Sequence, residues 1–294
     1  MNRIQRLLAA TDLSAPARHA AERAALVASE LGAALELLHV ISVAPTDRLR
    51  RLLAEAPDDL EAQVATDAST EVRRLADGLR QQYQVEPTTH VEQGGLLRQI
   101  EARADASAAD MLVLGARGAS FMRHLLLGST AERMVRRTTR PMLVVKHPAR
   151  GPYRRLLVPV DFSPASLPAC ELARALAPRA ELVLLHAFEV PFETRLRSAG
   201  VQEETLRKYR EIAQSQAERA MHSFLDAADP PSGSVTTLVL HGDASSLIIE
   251  QEQERDCDLV VVGKHGESTV DDFLLGSVTK HVLQGSQGDV LVSV

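Results

Sequence analysis

Two stretches of this 294-residue chain carry the residues best suited to holding a ligand. In the first, Gly115-x2-Gly118-x9-Gly128-Ser129 follows the apolar run Met111–Leu114. In the second, Gly263-x2-Gly266-x9-Gly276-Ser277 follows Leu259–Val262. A glycine leaving a strand lets backbone amides approach a ligand closely and permits positive φ. Gly128-Ser129 and Gly276-Ser277 then open a helix, whose unpaired N–H groups and positive end favour a phosphate. The chemistry is that of an anion site assembled from backbone amides and a serine hydroxyl. A single such spacing is weak, because glycines commonly mark turns. Two copies, each ending an apolar run and opening a helix, carry much more weight.

Other chemistry-bearing residues repeat with the glycines. Asp12 and Asp161 each follow a short apolar strand, Arg6–Ala10 and Arg155–Val160. A carboxylate there either faces a ligand or serves the entry of the next helix. His39 and His186 lie near the ends of the next strands, Leu35–Ile41 and Glu181–Phe188. Neither has a second His, Cys or carboxylate at metal spacing, so a structural role is expected and no metal site. Cys170 and Cys257 form no framework and are expected to be small buried residues.

The elements that must position these residues are written twice. Ala10-Thr11-Asp12-Leu13-Ser14 recurs as Pro159-Val160-Asp161-Phe162-Ser163, an offset of 149. Leu37-Leu38-His39-Val40 recurs as Leu184-Leu185-His186-Ala187 at 147, and both glycine blocks recur at 148. A near-constant offset of this length means duplication of a whole domain, not a solenoid. The reading is a first domain over 1–147, a linker over 148–152 with two prolines and a glycine, and a second domain over 153–294. Ser14 and Ser163 are expected helix N-caps, with Pro164 at the first helical position. The first of these helices places Ala17, Ala20, Ala21, Ala24, Val27, Ala28 and Leu31 on one face. Charge-rich helices over about 58–83 and 203–227 follow, with solvated faces, then weaker strands at 88–92 and 235–240. The continuous apolar runs Met111–Leu114 and Leu259–Val262 fit strands buried on both faces, as in a parallel sheet. Final strands are expected at Met142–Val145 and Val290–Val294. Strand–helix alternation through five strands implies an open doubly wound α/β sheet in each half. In such sheets ligands lie beyond the carboxyl ends of the strands, where Asp12, Asp161 and the glycines fall.

Composition narrows the function class. Aromatic residues are 3% and Trp is absent, so the core must be aliphatic. No apolar run approaches the roughly 20 residues that cross a bilayer, and the N-terminus lacks a signal peptide's apolar stretch. A soluble cytoplasmic protein is expected, with no membrane partner. The net charge of −6 argues against general nucleic-acid binding.

The glycine pattern, the strand-one aspartate, Gly128-Ser129-Thr130-Ala131-Glu132-Arg133-Met134-Val135 and Pro141-Met142-Leu143-Val144-Val145 together resemble the universal stress protein family. The resemblance spans both halves. It implies two three-layer domains, each a five-stranded parallel sheet in order 3-2-1-4-5. It also implies an adenine nucleotide, ATP or a relative, possibly with magnesium. In the ATP-binding members' pattern, Asp12 and Asp161 would sit beside adenine and ribose, and Val40 and Ala187 would meet the adenine through their backbones. Gly115, Gly118, Gly128, Ser129 and Thr130 would hold ribose and phosphates, matched by Gly263, Gly266, Gly276, Ser277 and Val278. The resemblance further implies an intrachain pseudo-dimer through the fifth strands, a possible homodimer, and protein partners in stress response or signalling. Family members that bind no nucleotide and act as interaction scaffolds form the alternative reading.

The halves differ in charge. Residues 1–147 carry a net +1 and residues 148–294 a net −7. Arg123-His124 of the first half is replaced by Asp271-Asp272 in the second, and two carboxylates near a triphosphate repel it. The first site is therefore the favoured one. No G-x-x-x-x-G-K-[ST] loop and no G-x-S-x-G elbow is present, so catalysis is not expected beyond slow ATP hydrolysis; a slow ATPase or phosphotransferase is the third and least favoured reading.

Overall fold

The computed structural model describes residues 3–42, 60–118, 127–228, 235–265 and 275–294. The chain divides into two compact units, one ending at Pro152 and the other beginning at Tyr153. The first contains β1 (Arg6–Thr11), α1 (Ala15–Leu31), β2 (Ala34–Ile41), α2 (Leu60–Tyr83), β3 (Thr88–Gln93), α3 (Leu96–Ala106), β4 (Met111–Gly115), α4 (Ser129–Arg137) and β5 (Met142–Val145). The second contains β6 (Arg155–Pro159), α5 (Ser166–Leu176), β7 (Glu181–Phe188), α6 (Glu193–Ser198), α7 (Glu203–Ala228), β8 (Val235–His241), α8 (Ala244–Glu254), β9 (Leu259–Gly263), α9 (Ser277–Gly285) and β10 (Asp289–Ser293).

Within the first unit the strands run β3-β2-β1-β4-β5, and within the second β8-β7-β6-β9-β10, parallel throughout. Both are the order 3-2-1-4-5. Right-handed crossovers put the helices on the two faces of each sheet. Accordingly α1 packs with α2 and α3 with α4, and in the second unit α5 with α7 and α8 with α9. The register brings the functional strand ends level: Thr11 lies beside His39, Ala10 beside Leu114, and Gly115 beside Val145.

The central strands are buried on both faces because they are almost wholly aliphatic. Leu7, Leu8, Ala9, Met111, Leu112 and Val113 are at most 1% exposed, as are Leu156, Leu157, Val158, Leu259, Val260 and Val261. Helix α1 lies close against them through alanine: Ala17, Ala20, Ala21, Ala24 and Ala28 are all buried with Val27, and Leu31 is half-buried. It ends at Gly32, whose φ of 64° lets its N–H reach the Ala28 carbonyl. Cys170 and Cys257 are buried, and burial pushes the Cys257 thiol up to about 11.

The sheet is also clamped at its opposite end. Asp110 Oδ2 accepts the N–H groups of Gln5 and Arg6, each at 2.8 Å. Asp258 repeats this for Arg154 and Arg155, at 2.9 and 3.2 Å. The residue before strand four thus fixes the start of strand one, and with it the register that aligns their far ends.

Helix entry differs between the units. Ser14 caps α1 as expected, its Oγ accepting the Ala17 N–H at 3.4 Å. Ser163 does not cap its helix, and Pro164 lies in the preceding turn. Helix α5 begins only at Ser166, whose hydroxyl is bonded to Asp161. That hydroxyl accepts the Asp161 N–H at 3.1 Å and donates to Asp161 Oδ1 at 2.8 Å, while the Ser163 carbonyl accepts the Ser166 N–H at 3.0 Å. Helix α6 is a further departure from the sequence reading; its Glu193 accepts from Arg210 of α7 and, at 3.0 Å, meets His241 Nε2 at the end of β8.

Asp110→Ala removes the acceptor for two strand-one amides. We expect it to lower the unfolding free energy by about 1–2 kcal/mol, since charge-assisted hydrogen bonds are worth somewhat more than neutral ones. Urea denaturation measures this directly.

Candidate functional site

At the carboxyl end of strand one each unit turns sharply. Leu13 has φ of 65° and Phe162 φ of 61°, a region bulky side chains rarely enter. The turn is held from several directions. The Leu13 N–H donates to Thr11 Oγ1 at 3.0 Å, and the Ser14 N–H and hydroxyl both donate to Asp12 Oδ1. In the second unit the Ser163 N–H donates to Asp161 Oδ1 at 3.0 Å.

The two histidines complete the turn. His39 Nδ1 lies 2.8 Å from the Thr11 carbonyl oxygen, and His186 Nδ1 lies 2.8 Å from that of Val160. A carbonyl only accepts, so Nδ1 carries the ring proton in both. Each imidazole is a structural tie between strands one and two. In the second unit the Phe162 ring also lies against His186, with centroids 4.2 Å apart.

The glycines are required by close approach, not by backbone angle. None of Gly115, Gly118, Gly128 or Gly263 has positive φ, and Gly276 has φ of −55°, so the freedom expected of them from sequence is not what they use. A Cβ on Gly115 would stand 3.0 Å from the carbonyl oxygens of Pro16 and Arg117. That glycine seats the end of β4 against the first turn of α1. A Cβ on Gly118 would stand 2.6 Å from Asp12 Oδ2, so this glycine brings backbone up to the carboxylate. Gly128 donates its N–H to the Ala116 carbonyl at 2.7 Å, and a Cβ there would lie 3.1 Å from the same oxygen. In the second unit a Cβ on Gly263 would stand 3.0 Å from the His265 carbonyl oxygen, and the Gly276 N–H reaches the Lys264 carbonyl at 3.1 Å.

These residues surround a cavity in each unit. The first, about 240 Å³, is lined by Asp12, Val40, Gly115, Gly118, Gly128, Ser129 and Thr130. Thr11, Arg117, Leu96 and Ile100 join them, positions that the motif spacing leaves unassigned. The second, about 300 Å³, is lined by Asp161, Ala187, Gly263, Gly276, Ser277 and Val278. It adds Ser166, His265, Thr279 and Ile248, which the motif spacing does not single out, and Ser163, expected only as a helix cap. Gly266 lies outside the described residues, as do Arg123, His124, Asp271 and Asp272.

Both cavities meet the start of a helix that no side chain caps. Gly128 and Gly276 are the N-cap residues of α4 and α9, and neither can supply a capping oxygen. First-turn N–H groups are left for another acceptor, and the helix end carries a partial positive charge. On the other side Leu96 and Ile100 of α3, or Ile248 of α8, supply an apolar wall. An anion at the helix end and a flat apolar group at the wall would both be accommodated.

A sequence model of the universal stress protein family matches residues 3–146 and again residues 152–293. The chain belongs to the universal stress protein family. A universal stress protein of Mycobacterium tuberculosis is 32% identical over 191 residues, which are 62% of this chain and 58% of the relative. The match thus spans under two thirds of that relative's length. Another, from Methanocaldococcus jannaschii, is 28% identical over 149 residues, 51% of this chain and 86% of its own. The solved universal stress protein of Archaeoglobus fulgidus superposes with a TM-score of 0.64 at 20% identity, covering 98% of this chain and 97% of that one. At that identity the likeness concerns the fold.

The two universal stress protein units are not copies in detail. Between the cavity walls, Ala17 gives way to Ser166, Arg117 to His265, Thr130 to Val278 and Ala131 to Thr279. The Thr279 hydroxyl is turned to structure, donating to the Gly263 carbonyl at 2.7 Å.

The glycines separate by test. Gly115→Ala places a methyl against two backbone carbonyls that cannot move cheaply, so it is expected to destabilise the fold by about 1–3 kcal/mol. Gly118→Ala meets a side-chain carboxylate instead of backbone, which yields at the expense of its bonds from Ser14, so it is expected to cost less, about 0.5–1 kcal/mol. Thermal unfolding of the two variants side by side distinguishes them.

Proposed function

We propose that this protein binds an adenine nucleotide, ATP or a close relative, in the strand-end cavities. Binding there acts in stress response or signalling through the surface that the nucleotide orders. The observation that carries the reading is the repeated constellation: in both units a carboxylate, a glycine brought up to strand four's end and an uncapped helix N-terminus converge on one cavity. The apolar wall suits adenine, Asp12 or Asp161 suits ribose hydroxyls, and the N–H groups of α4 or α9 suit phosphates. Ser129 and Thr130, or Ser277, add hydroxyls at the phosphate end. Among the described residues no cluster of His, Cys, Asp or Glu is arranged to hold a metal. Magnesium would then enter on the nucleotide's own phosphates, which is its usual habit. The reading assigns these residues to binding and none to turnover.

Purification without added nucleotide, denaturation, and chromatography of what is released test this. Adenine nucleotide near one or two molecules per chain is expected, falling in Gly118→Val, whose side chain meets the Asp12 carboxylate. A protein that is empty and also fails to take up ATP with magnesium would leave a scaffold that acts through protein contacts alone.

A further inference from the structure

Two residues of the second cavity's wall carry buried polar atoms that no described residue satisfies. Ser163 Oγ and His265 Nδ1 are both buried, both belong to residues of the cavity wall, and neither has a hydrogen-bond partner among the described residues. Buried polar atoms without partners are uncommon, because desolvating them is unfavourable unless something replaces the lost water. The first unit shows why Ser163 is released. There Ser14 is fully engaged, its hydroxyl donating to Asp12 Oδ1 and accepting the Ala17 N–H. In the second unit a serine stands where the first has Ala17, and Ser166 takes over the carboxylate of Asp161. One alanine-to-serine difference between the halves thus frees a hydroxyl at the mouth of the carboxylate turn. His265 stands where the first half has Arg117.

We infer that Ser163 and His265 are ligand-contacting specificity residues of the second cavity, completed by polar atoms of the ribose–phosphate part of a bound nucleotide. The inference rests on the nucleotide reading above. Both residues line the cavity wall, so their polar atoms are the ones a ligand there would complete. The second site is then recognised differently from the first: the first presents an arginine and a threonine hydroxyl, the second a serine and an imidazole. The two sites therefore differ in selectivity within one chain.

Unpartnered buried groups make a distinctive signature, since removing them relieves the empty protein while harming the complex. In a Gly118→Val background, which confines titration to the second cavity, Ser163→Ala and His265→Phe are each expected to weaken Mg-ATP binding about tenfold, the loss of a single good hydrogen bond. The thermal midpoint of each nucleotide-free protein is expected to stay level or rise. Ser14→Ala, which removes a working cap, is expected to lower it. Ser166→Ala restores the first unit's residue and returns Ser163 to the carboxylate, so it too should weaken second-cavity binding. Unchanged affinity in Ser163→Ala and His265→Phe, or a midpoint that falls as in Ser14→Ala, overturns the inference. Wild-type protein that binds Mg-ATP only in the first cavity overturns it while sparing the nucleotide reading. Binding in neither cavity removes both.

Discussion

The hydrogen bond from a histidine on strand two to a carbonyl at the end of strand one, that of Thr11 or of Val160 just past β6, is the interaction on which each site depends. His39 and His186 make it at 2.8 Å in both units. Beyond that carbonyl the chain passes through Leu13 or Phe162 in the left-handed region, which for such residues costs about 1–2 kcal/mol. A strained turn persists only when its surroundings over-determine it. Here the imidazole fixes one side, and the carboxylate of Asp12 or Asp161 fixes the other by accepting from the residues ahead. The result is a carboxylate held at a set height between sheet and helix. Without the tie, the turn would relax and the carboxylate would have no defined position over strand four.

The other half of the site is made of backbone. Gly115 lets β4 end against α1, and Gly118 and Gly128 let the following loop come down onto Asp12 and Ala116. The helix that opens at Ser129 or Ser277 starts uncapped, so its polarity is directed at the cavity instead of at a side chain of its own. Duplication preserved this backbone geometry while the side chains around it diverged. That is the physical basis of the two selectivities proposed for cavities of one architecture.

Much of this was legible from sequence where a pattern has one physical meaning. The apolar runs at Met111–Leu114 and Leu259–Val262 admit little but buried parallel strands, and the repeated offsets fixed the duplication. The aspartates and glycines were found because they end strands in both halves. The less legible features are tertiary. Leu13 and Phe162 carry none of the signals of a left-handed turn, since that conformation is imposed by Asp12 and His39 or their equivalents. Gly115 reads as a ligand glycine, yet its Cβ is excluded by the Pro16 carbonyl of another element. Ser163 stands where the first unit has its capping serine, and spacing does not reveal that Ser166, three residues on, bonds Asp161 in the folded chain. Helix α6, six residues long, is too short for its periodicity to register. Arg117 and His265 lie between the motif glycines, in positions a spacing pattern leaves unspecified.

Hydrogen exchange followed by mass spectrometry, with and without Mg-ATP, tests the central claim most directly, because it reads backbone amides at both cavities at once. The account predicts slowed exchange in both units at the end of strand four and the first turn of the following helix, around 113–118 with 128–133 and around 261–265 with 276–281. Amides of the outer strands β3 and β8 should be unchanged. Exchange that is indifferent to nucleotide at all of these segments, or protection confined to surfaces away from the strand ends, would contradict it.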